Sequence, residues 1–94
     1  MRPYEIMIIL DPELEEASVP GYLERYLKVI TDSGGTVDEQ DFWGKRSLAY
    51  QILKKSEGYY MVINFTSEPA AAKEMDRLLN LSESVLRTKL LRAA

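Results

Sequence analysis

The chain has neither cysteine nor histidine among its 94 residues. Without cysteine there is no disulfide, no thiolate nucleophile and no sulfur-ligated metal site. Without histidine there is no imidazole ligand and no triad or acid–base pair built on that ring. Glycine and proline are sparse, five and four residues, and no linker, repeat or low-complexity stretch interrupts the pattern. Long apolar runs are missing too. The longest near the N-terminus is Ile6 to Leu10, far short of the roughly 20 residues a spanning helix needs. Glu5 and Asp11 flank it, and it lacks the cleavage pattern of a signal peptide. These absences predict a soluble, cytoplasmic protein, one domain over residues 1–94, with no cofactor, no metal, no membrane partner and no small-molecule substrate.

The residues that are present divide into segments of two periods. Residues 3–10 are apolar on both parities, Tyr4, Ile6, Ile8 and Leu10 against Met7 and Ile9, and end at Asp11-Pro12. That pattern predicts a strand in the middle of a sheet, leading into a turn. Val19, Tyr22, Leu23, Tyr26, Leu27 and Ile30 then recur at the spacing of an amphipathic helix. Pro20 is acceptable only in a first turn, so the helix is expected to begin near Ala17 or Ser18, with Glu13, Glu15 and Glu16 favoured at its entry by the helix dipole. Gly34-Gly35 supplies the left-handed stop.

Residues 36–53 read as a strand whose phase flips once, with Gly44 as the natural bulge and Leu48, Tyr50 and Ile52 pointing inward beyond it. Lys54 to Gly58 reads as the turn of a hairpin, followed by a strand from Tyr59 to Phe65. Ser67 is the candidate cap of a second helix, with Ala72, Met75, Leu78 and Leu79 as its apolar stripe. Val85 to Arg92 forms the last strand. The order βαββαβ most simply builds a ferredoxin-like split sheet of the α+β class, a four-stranded antiparallel-type sheet with both helices on one face. The other face then receives Met7, Ile9, Tyr60, Val62, Arg87, Lys89 and Leu91, an apolar, aromatic and basic mixture unlike a finished solvent surface.

The formal net charge of −3 at first argues against a nucleic-acid partner. Its distribution reverses that argument. Residues 1–41 carry ten acids and three bases, whereas residues 42–94 carry five acids and nine bases. Eight bases fall on predicted strands or the hairpin tip, and in a split sheet the first and last strands are neighbours. Arg2, Arg87, Lys89 and Arg92 are therefore expected to gather into one patch able to hold phosphates despite the negative total.

No catalytic constellation accompanies these charges. There is no G-x-S-x-G and no Gly-rich phosphate loop, and Gly34-Gly35 follows a helix rather than preceding one. Asp38, Glu39 and Asp41 lack the spacing of a calcium loop. A ferredoxin-like acylphosphatase needs an anion-cradling loop after the first strand; here that loop reads Asp11-Pro12-Glu13-Leu14-Glu15-Glu16, which repels phosphate. A binding protein remains, with a homo-oligomeric interaction module as the alternative.

Several fragments together resemble bacterial small-subunit ribosomal protein S-six (S6). They are Arg2-Pro3-Tyr4-Glu5-Ile6, Asp11-Pro12, Gly34-Gly35, Trp43-Gly44-Lys45-Arg46, Leu48-Ala49-Tyr50, Glu57-Gly58-Tyr59-Tyr60 and Val85-Leu86-Arg87. The resemblance spans essentially the whole chain in order and spacing. It implies a structural protein that binds the central domain of small-subunit ribosomal RNA together with ribosomal protein S-eighteen (S18). By position it carries Arg2, Lys45, Arg46 and Arg87 over as RNA contacts; Lys89 and Arg92 join them from the patch argument alone. Met7, Ile9, Trp43, Tyr60, Val62 and Leu91 are the candidate protein-partner contacts. Ser47 departs from the pattern, standing where a further Arg is usual. The sequence stops at Ala94, so the longer, often acidic tail of many relatives is not carried over.

Overall fold

Alternation along the first strand sets the architecture. In the computed structural model, which describes residues 1–93, β1 (Arg2–Leu10) turns Tyr4, Ile6, Ile8 and Leu10 to one side, all of them buried. A single 3₁₀ turn (Glu16–Ser18) leads into α1 (Val19–Asp32), followed by β2 (Thr36–Ile52), β3 (Lys55–Ser67), α2 (Pro69–Leu81) and β4 (Val85–Arg92). The sheet order is β2-β3-β1-β4, and every pairing is antiparallel. This is the ferredoxin-like arrangement that the βαββαβ order predicts.

The core lies between that side of the sheet and the two helices. Tyr59, Met61, Ile63 and Phe65 of β3 share it with the even residues of β1, and Tyr4 stacks on Phe65 with ring centroids 5.5 Å apart. α1 contributes Val19, Leu23, Tyr26, Leu27 and Ile30, as its period requires; α2 contributes Ala71, Ala72, Met75 and Leu79. α1 ends where Gly34 takes φ +90° and Gly35 donates to the Ile30 carbonyl at 2.9 Å. A Cβ on Gly35 would stand 2.5 Å from the Thr66 carbonyl oxygen, so the close approach of this corner to β3 excludes any side chain there.

Glu13, Glu15 and Glu16 lie at the entry to α1, as expected, and Glu13 pairs with Lys55 at 3.2 Å. Three other local expectations differ from what is observed. Ser67 is the buried last residue of β3, while Glu68 occupies the cap position before Pro69 with no side-chain cap bond. The hairpin turn is Leu53-Lys54, both at positive φ, so β3 begins at Lys55 and not at Tyr59. Tyr50 is 63% exposed and does not point into the core. The reason is register: between the Ser47–Glu57 and Ile52–Lys55 pairs, four residues of β2 oppose the single Ser56, and the ladder's alternation breaks down.

Ile8→Ala removes a fully buried side chain at the middle of this core. It is expected to cost about 2–5 kcal/mol, read in urea as a lower midpoint with an unchanged slope.

Candidate RNA- and protein-binding face

The sheet surface away from the helices is built row by row, because residues paired across antiparallel strands project to the same side. The row through Ile9 holds Tyr60 on β3 and Arg87 on β4; the row through Met7 holds Val62 and Lys89; the row through Glu5 holds Asn64 and Leu91. β2 completes the three rows with Gly44, Asp41 and Glu39 respectively.

A bulge adds the largest side chain. Phe42 opposes Met61 and Gly44 opposes Tyr60, which leaves Trp43 as the extra residue. Gly44 takes φ +83°, a conformation that side chains resist. The bulge seats the Trp43 ring parallel to Tyr60, at an interplanar angle of 3° and a centroid distance of 6.1 Å. Arg46 lies over the outer indole, its Cζ 5.7 Å from the ring centre, and Trp43 Nε1 donates to Asp41 Oδ2 at 2.8 Å. Sequence reasoning located this bulge at Gly44. It missed the one between Val37 and Glu39, where Asp38 accepts hydrogen bonds from Thr36 and Thr66.

The charges on this face are partly sorted. Arg46 and Arg87 stand toward the Tyr60 end and Glu5, Asp38 and Glu39 toward the other, while the middle row carries both signs, Lys89 on β4 and Asp41 on β2. Among the described residues, Arg46, Arg87 and Lys89 form no ion pair; the salt bridges present are those of Lys55, of Arg77 with Glu74, and of the Met1 amino group with Glu68. Arg87 is instead held by a neutral partner, its Nη1 donating to Tyr50 Oη at 2.8 Å. β2 and β4 are opposite edges of the sheet, so this bond means that the far part of β2 curls over the open face. Beneath it, Met7, Ile9, Tyr60, Arg87, Thr88 and Lys89 line an open hollow of about 230 Å³.

The expected single patch of Arg2, Arg87, Lys89 and Arg92 does not form. Arg92 pairs with Tyr4, and Arg2 shares the parity of Tyr4 and Ile6, so both belong to the helix side at the far end of the sheet. Lys45 opposes Tyr59 and lies over that ring at 5.4 Å, again on the helix-side parity. Of the apolar candidates, Met7, Ile9, Trp43, Tyr60, Val62 and Leu91 all lie on the open face. Ile9 and Val62 are already buried by their neighbours, and Leu91 is 47% exposed. Tyr50, expected inward, is the residue that pattern reasoning misplaced most consequentially.

Nothing on this face is arranged for proton transfer. On the helix side, burial and a hydrogen bond donated to Tyr26 raise the pKa of Tyr22, and a hydrogen bond from Arg77 lowers that of Glu74. Among the described residues no acidic cluster is placed to hold a metal, and no helix is long and apolar enough to cross a membrane.

Rings, free cations and an acidic strip on the uncovered side of a split sheet define a ferredoxin-like binding scaffold. The comparisons with known proteins agree and go further. The family model described as ribosomal protein S6 matches residues 3–92. The small ribosomal subunit protein bS6 of Paenarthrobacter aurescens is 58% identical over 92 residues, covering 98% of this chain and 91% of that protein. The bS6 of Cutibacterium acnes is 60% identical over 92 residues, covering 98% and 96%. The crystal structure of 30S ribosomal protein S6 from Thermotoga maritima superposes with a TM-score of 0.88 at 30% identity, covering 98% of this chain and 87% of that one. The chain belongs to the ribosomal protein S6 family, a structural family and not an enzymatic one.

Trp43→Ala deletes the stack on Tyr60 and the seat of Arg46. Because Trp43 is 42% exposed, the expected cost is about 1 kcal/mol, well below that of Ile8→Ala. The measurement is urea unfolding followed by circular dichroism, since the substitution removes the sole tryptophan.

Proposed function

We propose that this chain is a structural constituent of the bacterial small ribosomal subunit, in the cytoplasm, that binds the central domain of small-subunit ribosomal RNA together with ribosomal protein S18. Family membership supports the ribosomal setting. The observation that carries the binding reading is the open face itself, with Arg46, Arg87 and Lys89 free of ion pairs among the described residues, acids concentrated toward the Glu5 end, and Trp43 and Leu91 exposed beside them.

RNA takes the cationic end. Guanidinium and ammonium groups there meet phosphates, contacts that position a folded RNA without reading its sequence. Arg2, Lys45 and Arg92, which lie off this face, contact RNA that continues around the sheet's ends. The protein partner covers the Val62 and Leu91 region and sets its own basic side chains against Glu5, Glu39 and Asp41. A homo-oligomer is disfavoured on this reading, because two copies of this face set like charges against each other unless they stack antiparallel.

With about four phosphates neutralised, the logarithm of RNA affinity is expected to fall with log salt at a slope of roughly −3 to −4. Arg87→Ala is expected to weaken binding and flatten that slope by about 1, while leaving the urea midpoint nearly unchanged. Affinity that ignores salt would overturn the phosphate assignment. Adding S18 is expected to tighten RNA binding; equal affinity with and without it would remove the partner from the proposal.

A further inference from the structure

The hollow on the open face brings together groups that the function so far uses separately. Its floor is Ile9, buried between neighbouring strands, and Met7, whose flexible thioether adapts to an apolar guest. One wall is the ring of Tyr60. That ring is backed by Trp43 in a parallel stack, so its orientation is fixed before anything binds. The rim carries Arg87 and Lys89, two residues apart on β4 and projecting to the same side. Neither is neutralised by an ion pair among the described residues.

We infer that this hollow seats a single unstacked nucleotide of the bound RNA, its base against Tyr60 over Ile9 and Met7, and its phosphate on Arg87 and Lys89. The inference rests on the RNA-binding reading above and deepens it. At about 230 Å³ the space suits one nucleotide and falls below the roughly 300–1,000 Å³ of sites for drug-sized ligands. Charge decides among occupants. A basic protein segment is repelled by the two free cations, an aliphatic side chain leaves them unused, and a paired duplex offers no splayed base to enter. The Arg87 guanidinium has five donors, and its bond to Tyr50 occupies one of them, which orients the group and leaves the others for phosphate oxygens.

The seat reads shape and not sequence. Thr88 pairs with the core-facing Ile8, and its hydroxyl is committed on the helix side, where Oγ1 donates to Asp76 Oδ1 at 2.7 Å and accepts from Asn80 Nδ2 at 2.9 Å. With that group spent, stacking on Tyr60 remains as the main contact to a base, and stacking tolerates every base.

The test compares two RNA stem-loops of the same helical sequence, one fully paired and one carrying a single-nucleotide bulge. The intact chain is expected to prefer the bulged RNA by about tenfold. Tyr60→Leu is expected to abolish the preference while keeping the salt slope, and Tyr60→Phe to retain it; urea midpoints verify that both variants fold. In parallel, NMR titration with adenosine monophosphate is expected to shift the Met7 methyl and Tyr60 ring signals at millimolar concentration, whereas inorganic phosphate shifts only Arg87 and Lys89. Equal affinity for the two RNAs with the salt slope intact would remove the nucleotide seat and leave the RNA-binding reading standing. Loss of the salt slope would strike that reading instead. Phosphate alone moving Met7 and Tyr60 would reduce the hollow to an anion site. Micromolar binding of free nucleotide without a bulge preference would make it a site for metabolites and not RNA. Any of these three results at the hollow overturns the inference.

Discussion

Pairing of β1 on both edges is the constraint from which the rest of the molecule takes its place. With β3 on one side and β4 on the other, the strand has no free backbone edge, and its two faces must serve different layers. The even residues go to the helices and are sealed; Glu5, Met7 and Ile9 go to the surface opposite. A one-residue slip would bring Glu5 into the core and expel Ile6, at several kcal/mol for the buried charge alone. The register of β3 and β4 is therefore fixed by the same residues that keep the core dry. Arg87 and Lys89 inherit their side of the sheet from Ile9 and Met7.

β2 is less constrained, and there the structure departs from simple alternation. It is an edge strand longer than its partner's core-facing stretch, and its bulges at Asp38 and Trp43 each add a residue on the open side. The second bulge turns a tryptophan that strict alternation would bury or strand into a ring stacked on Tyr60. Beyond Ser47 the extra residues bend the chain across the sheet, and Tyr50 reaches Arg87 as a result. An edge that twists and bulges also resists pairing with another copy of itself, which fits a face reserved for other partners.

What could be read from the sequence follows this division. The element order, the inward face of β1 and β3, the stripes of both helices and the Gly44 bulge were legible, because each rests on a local period or a local φ requirement. The hairpin tip was not. Lys54 to Gly58 looked like a turn because it is polar, yet Leu53 and Lys54 adopt positive φ without being Gly or Asn, a choice the neighbouring ladder imposes. The gathering of Arg2 and Arg92 with Arg87 and Lys89 also failed, although alternation alone separates them: Arg2 shares the inward parity of Tyr4 and Ile6, and Arg92 lies on the opposite parity of β4 from Arg87 and Lys89. The pairs Tyr4–Arg92 and Ile9–Arg87 show the same division across the sheet, with core-facing Tyr4 opposite Arg92 and open-face Ile9 opposite Arg87. Individual roles in binding stay at the level of proposal: charge is visible in a sequence, but its neighbours across a sheet are not.

Net charge is the property that such a sheet makes least informative. Arg87 and Glu5 are on the rows of Ile9 and Glu5, four residues apart along β1, or about 13 Å at the rise of a strand. The Debye length at physiological ionic strength is about 8 Å. Glu5 thus barely lowers the potential at Arg87, whereas Asp41, bonded to the Trp43 ring that Arg46 lies over, and Glu5, two residues from the Met7 that Lys89 faces, act on Arg46 and Lys89 at shorter range. The acids of the α1 entry are further away, and Asp11 and Glu13 are in part answered by Lys55. A total of −3 weakens long-range attraction to RNA at low salt, where screening is slight, but not the contact itself. By the same distance argument, a basic partner at the Glu5 end contributes little by direct attraction to phosphates at the other. On the function proposed above, its benefit to RNA binding would come through its own contacts and through covering apolar surface, so cooperation between the two ligands is expected to persist at salt concentrations that weaken each alone.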